Sequence, residues 1–451
     1  MSILIFFSLF SALRRLRLQD RWTRQQLEAH QTKSLVRLRE YAYARSPFYR
    51  RFHRGLEHKA LHELPILTKA MMMENFDDLV TDRAVRLADV ERHRDTLRGD
   101  ERFLGRYRVN ATSGSTGRPG LFLYDHFEWV TALASFMRAY QWLEGATYLP
   151  PRIKVASIVS PTPWHMSRRA GATLETRWAH ALRLYATDSV AKLVGSLDAW
   201  QPHILGAYPS VARVLAEEQL AGRLHVYPKY IFTGAEVLAA DTRRRIEEAW
   251  GAGRLFDMYG VTEGGTIAAE CGRHAGLHLF EDLAIFEVVD GDNQPVPPGV
   301  YGEKLLITVL YNRTQPLIRY ELSDSVRLAE NSCPCGRAFT LITGIQGRTE
   351  DILRFPGAAG GEIAINSAVI DQVLDRLPAG EWQLVQETNG LYVLLSGTPA
   401  EFPDERLAED LRRALSDQAV IVPPIIIKRV PAIPRGATGK AQLIKSNLPR
   451  A

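Results

Sequence analysis

Short apolar runs that suit buried strands alternate with helical patterns in the middle of the chain, and this alternation constrains the fold most. Val155–Val159 and Tyr230–Thr233 are dominated by apolar side chains, as strands of a parallel sheet covered on both faces require. Thr242–Trp250 follows with a helical pattern. Strands that alternate with helices predict a large, layered α/β body in the N-terminal part of the chain.

The pattern changes after Ala284, where strand-like runs at Ile285–Val289 and Lys304–Val309 predict a β-rich subdomain. Beyond Arg348 the pattern becomes mixed. It predicts a helix over residues 363–374, a hairpin over 382–395 that turns at Asn389-Gly390, a helix over 404–416 and a strand over 425–429. These elements predict a small α+β domain at the C-terminal end.

A polar, glycine-containing loop covers Thr112-Ser113-Gly114-Ser115-Thr116-Gly117-Arg118-Pro119-Gly120. Glycines allow the backbone to approach a phosphate closely, so that N–H groups and Ser/Thr hydroxyls can donate to its oxygens. Arg118 adds a positive charge. The Walker A pattern cannot be fitted here. The loop therefore predicts a nucleotide phosphate site of another type, and a flexible Ser/Gly turn is the alternative.

Five further segments follow the loop in a fixed order: Tyr230–Glu236, Leu255–Gly265, Arg319–Asp324, Gly347–Leu353 and Pro434–Lys440. From about Leu104 to Lys440, this ordered set closely resembles the adenylate-forming superfamily of acyl- and aryl-CoA ligases. Within it, the chain is similar to the phenylacetate–CoA ligase branch. The segments that carry this second resemblance are Leu38–Arg50, Leu64–Lys69, Leu205–Ser210 and Cys333–Arg337.

The resemblance implies both a domain plan and a reaction. It implies an N-terminal adenylation domain over residues 1–346, a hinge at 347–351 and a mobile lid domain over 352–451. The implied reaction is ATP-dependent activation of a carboxylic acid, with aromatic acids as the family default, and transfer of the acyl group from the adenylate to CoA. Two alternatives stay open. One passes the acyl group to an amine or a carrier-protein thiol, and the other is a non-catalytic nucleotide-binding or membrane-associated scaffold.

Joining a carboxylate to the α-phosphate brings two anions together, so the site needs cations and N–H donors rather than a nucleophilic side chain. The resemblance implies that Lys440 contacts the carboxylate and the α-phosphate. It also implies that Glu263 coordinates Mg²⁺, for which a hard oxygen ligand is suited, and that Thr262 holds the α-phosphate.

The same resemblance implies the remaining nucleotide contacts. Asp324 accepts hydrogen bonds from the ribose hydroxyls, Arg348 assists there, and Tyr259 stacks near adenine. The family often has Asp at the position of Glu350, and Asp351 follows at once, so the pivot of the hinge is open. The other implied cofactor-binding residues are Thr112, Ser113, Gly114, Ser115, Thr116, Gly117, Gly234, Ala235, Glu236 and Gly260.

The chain has only three cysteines, Cys271, Cys333 and Cys335, and an odd number argues against a disulfide framework. Three thiolates and one imidazole make a closed tetrahedral set, as structural zinc requires. Some members of the phenylacetate–CoA ligase branch carry zinc in the matching place. His278 lies in the Gly-Leu-His run that accompanies the cysteine in those members and is favoured as the imidazole, whereas His274 is the rival.

Met1–Leu13 is apolar and Arg14-Arg15-Leu16-Arg17 is basic. The apolar run is too short to span a bilayer, and its order of charge is the reverse of a signal peptide. Two interpretations stay open for residues 1–20: a helix packed on the domain, or an interfacial membrane helix with cationic anchors. The net charge of +5 and pI near 9.0 suit anionic ligands such as ATP and CoA and do not indicate nucleic acid. The chemistry of the resemblance favours the cytoplasm, and the second interpretation of this segment would add a peripheral membrane contact.

Overall fold

The computed structural model describes residues 3–112, 119–143, 153–174, 180–348, 353–358, 360–365, 367–374, 377, 381–399, 401–434 and 443–448. The chain divides into two compact units. The first unit comprises Met1–Ile153, Thr162–Ala181 and Phe256–Ile345, and the second comprises Lys154–Pro161, Leu182–Leu255 and Gln346–Ala451.

The helices of the first unit come early in the chain. They are α1 (Ile3–Gln19), α2 (Arg24–Arg45), α3 (Pro47–Phe52), α4 (Lys69–Glu74), α5 (Phe76–Leu79), α6 (Leu87–Thr96), α7 (His126–Gln141) and α8 (Met166–Leu174), with a 3₁₀ turn at Leu61–Glu63. Several of these helices begin at a residue whose side chain caps the helix N-terminus. Asp125 accepts a hydrogen bond from the Glu128 N–H and Glu128 caps Asp125 in return, so α7 begins at a complete capping box. Among the described residues, no helix combines the length and the apolar character that a membrane crossing needs.

The described strands of the first unit lie in three sheets. β1 (Arg108–Ala111) and β2 (Leu121–Tyr124) pair antiparallel, and so do β10 (Ala284–Val289), β11 (Lys304–Val309) and β12 (Tyr320–Leu322). The third sheet has the order β13-β14-β9-β8-β7. Its strands are β7 (Leu255–Val261), β8 (Gly265–Glu270), β9 (Leu277–Leu279), β13 (Asp324–Leu328) and β14 (Leu341–Arg348). The predicted β-rich region after Ala284 is confirmed.

The second unit begins with a parallel α/β layer. Its elements are β3 (Lys154–Val159), β4 (His180–Tyr185), α9 (Val190–Trp200), β5 (Ile204–Ala207), α10 (Pro209–Leu220), β6 (Tyr230–Gly234) and α11 (Ala240–Trp250). The strand order is β6-β5-β3-β4, and β5 runs parallel to both β3 and β6. Leu197, Leu205 and Ile231 lie in its core with no exposed surface. The strands predicted at 155–159 and 230–233 and the helix predicted at 242–250 are confirmed, and so is the α/β class.

The C-terminal part of the second unit has its own hydrophobic core. Its elements are β15 (Leu353–Pro356), β16 (Glu362–Ile365), α12 (Ser367–Leu374), β17 (Glu381–Glu387), β18 (Gly390–Ser396), α13 (Asp404–Ser416), β19 (Ile425–Arg429) and β20 (Ile444–Ser446). The main sheet has the order β19-β18-β17-β20. This is the predicted α+β arrangement. The hinge at 347–351 and the mobility of the lid stay predictions, since residues 349–352 lie outside the described part.

Two local predictions in this part are wrong. Residues 363–365 belong to β16, which pairs with β15, and the helix begins only at Ser367. The reason is that Ile365 is buried in the core in register with Leu353, so tertiary pairing outweighs the helical pattern. The hairpin turn is Thr388-Asn389, because Glu387 and Gly390 already pair across the strands.

Candidate active site and candidate metal centre

The loop 112–120 joins β1 to β2, and its base is closed by two hydrogen bonds. The Thr112 N–H donates to the Gly120 carbonyl at 3.0 Å, and the Gly120 N–H donates to Thr112 Oγ1 at 2.8 Å. The strands on both sides are buried. Thr112 was predicted to bind the nucleotide. In the structure it helps to close the base of the predicted nucleotide loop. Ser113, Gly114, Ser115, Thr116 and Gly117 lie outside the described residues.

The turn Thr262-Glu263-Gly264 connects β7 to β8, and each of its carbonyls accepts a hydrogen bond from a buried side chain. The bonds are Tyr124 Oη to Thr262 O at 2.5 Å, Asn312 Nδ2 to Glu263 O at 3.2 Å and Tyr311 Oη to Gly264 O at 3.0 Å. Since buried donors hold every carbonyl of the turn, its backbone is positioned before any ligand binds. These three donors are not predicted from the sequence, because no local spacing relates them to the turn.

Gly265, the first residue of β8, is required by its backbone and by its neighbour. Its φ is +71°, in the left-handed region, and a Cβ there would lie 2.8 Å from Ser135 Oγ on α7. The next residue, Thr266, donates its N–H to that same oxygen at 3.0 Å. Helix α7 thus supports the strand directly after the turn that carries Glu263, a residue only 6% exposed.

Two predicted nucleotide-binding residues meet in the first unit. Tyr259 Oη donates to Asp324 Oδ2 at 2.6 Å, which links β7 to the first residue of β13. A carboxylate has several acceptor positions, so this bond is compatible with its acceptance of ribose hydroxyls. The register of β7 against β8 shifts between Tyr259 and Gly260, and such a bulge re-aims a side chain.

The predicted adenine loop in the second unit follows β6. Ala235 has φ of +68°, which is uncommon for a residue with a side chain and marks strained backbone at this position. Glu236 Oε2 accepts the backbone N–H of Ser210 at 3.0 Å, in the first turn of α10. A carboxylate is favoured at a helix N-terminus. Glu236 therefore holds the loop to α10.

Other predicted residues lie beyond what the structure describes. Lys440, Glu350 and Asp351 are outside the described residues, and Arg348 is described only as the last backbone position of β14. Their roles stay predictions.

Cys271, His278, Cys333 and Cys335 come together in the first unit, and one ligand atom of each lies within 4.8 Å of all the others. Cys271 Sγ and Cys333 Sγ are 3.8 Å apart, and Cys335 Sγ is 3.4 Å from His278 Nε2. A tetrahedral zinc with ordinary bond lengths would place two sulfurs about 3.8 Å apart and a sulfur and a nitrogen about 3.5 Å apart. The residues present therefore fit such an ion.

The ligands come from positions that sheet pairing brings together. Cys271 follows β8, His278 lies on β9 and the two other cysteines precede β14. Burial raises the pKa of the Cys271 thiol to about 12, and burial, followed by the charge of Arg337, lowers the pKa of His278 to about 4. The rival His274 lies outside the cluster, 3.5 Å from Glu270 and against the Phe256 ring.

Comparisons with known proteins give one family and several relatives. A family model described as AMP-binding enzyme matches residues 109–308. A phenylacetate-coenzyme A ligase of Thermus thermophilus is 28% identical over 364 residues, 74% of this chain and 73% of that protein. Protein CapK of Staphylococcus aureus is 23% identical over 304 residues, 65% of this chain and 60% of that protein. A solved structure of 2-hydroxyisobutyryl-CoA ligase in the postadenylation state matches with a TM-score of 0.73 at 21% identity. The match covers 96% of this chain and 91% of the ligase chain.

Proposed function

The chain belongs to the adenylate-forming superfamily, and from that premise we propose that it is an AMP-forming acid–CoA ligase. The family match over residues 109–308 includes the loop at Thr112, the segment Gly234–Glu236 and the turn that carries Glu263. An aromatic acid is the proposed substrate, because the Thermus thermophilus relative is named for phenylacetate.

The observation that carries the proposal is the turn 262–264, whose three carbonyls accept hydrogen bonds from buried side chains. The turn directly follows β7, the strand that carries Tyr259 and its hydrogen bond to Asp324. Adenylation needs fixed polar groups around a phosphate and a ribose. A turn whose carbonyls are already bound can direct its side chains without rearranging, and a tyrosine-bound carboxylate can accept a diol. No nucleophilic side chain is required.

In the proposed first step, a carboxylate oxygen of the acid attacks the α-phosphorus of ATP. The bond from that phosphorus to the bridging oxygen breaks, and pyrophosphate leaves. Lys440 would stabilise the charge that develops on the phosphate, and Thr262 would hold an α-phosphate oxygen. Glu263 would supply a carboxylate oxygen to Mg²⁺, which neutralises charge on the phosphates when bound.

In the second step, the CoA sulfur attacks the carbonyl carbon of the adenylate, the thiol loses its proton, and AMP leaves with the phosphate oxygen. Because ATP and CoA are the proposed co-substrates, we also propose that the activity is cytoplasmic. The four-residue cluster of Cys271, His278, Cys333 and Cys335 would hold a structural zinc.

The test is acid-dependent release of pyrophosphate with a panel of aromatic and aliphatic acids, with and without CoA, followed by mass analysis of the products. We expect an acyl-CoA and AMP in equal amounts with an aromatic acid. Lys440→Ala should lower acid-dependent pyrophosphate release by about 10²-fold or more, and it is the catalytic control.

Pyrophosphate release that is indifferent to CoA, with no thioester formed, would overturn the ligase assignment and direct attention to an amine or a carrier-protein thiol. No acid-dependent release with any acid would overturn adenylation itself and favour a non-catalytic scaffold.

A further inference from the structure

Helix α1 packs on the first unit with one face only. Ile5, Leu9, Ala12 and Leu16 are buried, and their spacing of four, three and four residues places them on one side of a helix. This observation supports the interpretation of residues 1–20 as a helix packed on its domain.

The helix is held at both ends by α7. At the first end, Ser8 Oγ and His126 Nε2 are hydrogen-bonded at 3.2 Å. At the other end, Arg138 lies 2.6 Å from Asp20 and 2.7 Å from Asp282, with no exposed surface of its own. The two helices therefore run side by side in the same direction. The orientation of the outward face of α1 is set by these contacts.

That outward face is divided along its length. Phe6, Phe7 and Phe10 lie in its first turns and are 46%, 64% and 63% exposed. Next along the same stripe come the exposed arginines 14 and 17, at steps of four and three residues from residue 10, and the exposed Arg21 follows in the turn after the helix. Leu18 lies among them and is 59% exposed. Aromatic rings thus occupy one half of the face and guanidinium groups the other.

The charge on this face has one sign. The sequence of α1 contains no acidic residue, and Asp20 beyond its end is paired with Arg138. For Arg14 and Arg17 the structure shows no ion pair within its described residues. Exposed rings next to positive charge are the composition of a helix that lies at the boundary between lipid headgroups and acyl chains.

We propose that α1 seats the first unit on the surface of a membrane that contains anionic lipids. The three phenylalanine rings enter the acyl boundary, and the arginines contact the headgroup phosphates and the anionic headgroups. This contact is independent of the proposed reaction, because none of these residues belongs to the candidate site.

A second copy of the chain fits this face less well than an anionic surface. A symmetric contact through α1 would bring six guanidinium groups together, and α1 has no carboxylate to pair with them. Burial of unpaired charge is strongly unfavourable. An anionic bilayer supplies the missing negative charge and accepts the rings at the same time.

The test is co-sedimentation of the full chain with vesicles of phosphatidylcholine, without and with phosphatidylglycerol. The wild-type chain should sediment with the anionic vesicles and be released by high salt. A triple variant should have a partition coefficient lower by about tenfold or more: Phe6→Ser, Phe7→Ser and Phe10→Ser combined. The reason is that the variant lacks the favourable free energy of moving each ring from water into the acyl boundary. Arg14→Gln, Arg17→Gln and Arg21→Gln combined should lower binding to anionic vesicles and flatten its salt dependence.

Two sets of matched controls distinguish binding through this face from nonspecific binding to vesicles. Val36→Ser, Leu104→Ser and Val300→Ser remove apolar side chains that are 50%, 55% and 48% exposed elsewhere in the first unit. The charge control is a triple change to Gln at the exposed residues Arg37, Arg45 and Arg54. Both control sets should bind vesicles as the wild type does.

All variants should keep the wild-type melting temperature and the wild-type pyrophosphate release without vesicles. The proposal is overturned if the wild type does not sediment with anionic vesicles, or if the control sets lose as much binding as the α1 variants. It is also overturned if light scattering shows a dimer that only the phenylalanine variant breaks, with no effect of vesicles.

Discussion

At the residue scale, the Tyr259–Asp324 hydrogen bond is the point where two predicted nucleotide contacts act as one. A short bond from a hydroxyl to an ionised carboxylate is stronger than a neutral one. At 2.6 Å, this bond fixes the carboxylate that would receive the ribose. In the proposed site, the tyrosine would therefore act on the nucleotide through Asp324 as well as through its ring.

Tyr259→Phe keeps the ring and removes only the hydroxyl. We expect the KM for ATP to rise about fivefold to tenfold, because Asp324 loses the bond that positions it, and the free energy of unfolding to fall by no more than about 1 kcal/mol for one lost hydrogen bond. Steady-state pyrophosphate release measures this. Tyr227→Phe, at a tyrosine that is 72% exposed, is the matched control. An unchanged KM would mean that Asp324 is positioned without its tyrosine.

His53 makes the stability of the first unit depend on pH. The side chain is 5% exposed and packs against the rings of Tyr49 and Phe52. Burial, followed by the charge of Arg39, lowers its pKa from 6.5 to about 4. Between these values the unfolded chain binds a proton that the folded chain does not, so the free energy of unfolding falls as the pH falls from 6.5 to 4.

The loss through His53 should reach up to about 3 kcal/mol at the acid end. Denaturant unfolding of the wild type and of His53→Leu at pH 7 and pH 5 measures it, and the variant should lose less stability on acidification. His58→Leu, at an exposed histidine in the same segment, should behave as the wild type. Equal pH dependence in all three proteins would contradict the assignment.

At the scale of elements, Arg138 connects α7 to the end of α1. The guanidinium pairs with Asp20 and Asp282 and lies over the rings of Trp142, Phe280 and Phe339. Removal of one partner from a buried ionic network leaves the others unpaired, which costs more than the network contributes as a whole. The attachment of α1 should therefore depend on this one side chain.

Arg138→Ala should destabilise the first unit by about 3–5 kcal/mol and expose the segment between α1 and α2 to proteases. Limited proteolysis with mass analysis identifies the cleavage site. Arg24→Ala is the control, because the ion pair of Arg24 with Glu281 is half-exposed on the arginine side and such pairs contribute about 1 kcal/mol or less. Cleavage that is equally slow in both variants would contradict the role of Arg138.

The four-residue cluster joins the end of β8, β9 and the segment before β14. Cys333→Ser should release the metal and lower the melting temperature, because a structural zinc stabilises the fold that positions its ligands. The KM for ATP should not rise selectively. Elemental analysis of the purified protein checks the metal content.

His274→Ala is the control for the metal prediction and should retain the metal, since His274 lies outside the cluster. Purified wild-type protein without stoichiometric metal would refute the site. Loss of the metal from His274→Ala and not from His278→Ala would reverse the choice of ligand.

At the scale of the whole molecule, the predicted hinge separates the two proposed half-reactions. The C-terminal elements have a hydrophobic core of their own, as a lid that rotates between two poses requires. Proline fixes φ near about −65° and removes an N–H. Glu350→Pro should therefore hold the lid in one pose.

We expect Glu350→Pro to retain acid-dependent pyrophosphate release and to lose thioester formation, because a single site would be used in two poses. Adenylation and thioester formation are measured separately in the same preparation. A variant that keeps both half-reactions, or loses both equally, would count against a hinge at this position.

The sequence by itself determined the local elements and the chemical type of each site. The helix Asp404–Ser416 and the strand Ile425–Arg429 have the predicted bounds, because hydrophobic periodicity and turn residues act over short distances along the chain. The ordered polar segments indicated the superfamily, and three cysteines with a nearby histidine indicated the metal ligands.

Only the tertiary structure decided which groups meet. Pairing of β9 with β14 brought His278, and not His274, to the cysteines, and packing of Ile365 against the C-terminal core made residues 363–365 a strand. Tyr124, Tyr311 and Asn312 bind the carbonyls of the turn at 262–264 from remote positions in the chain. Such contacts follow from the packing of distant segments, which short-range periodicity does not encode.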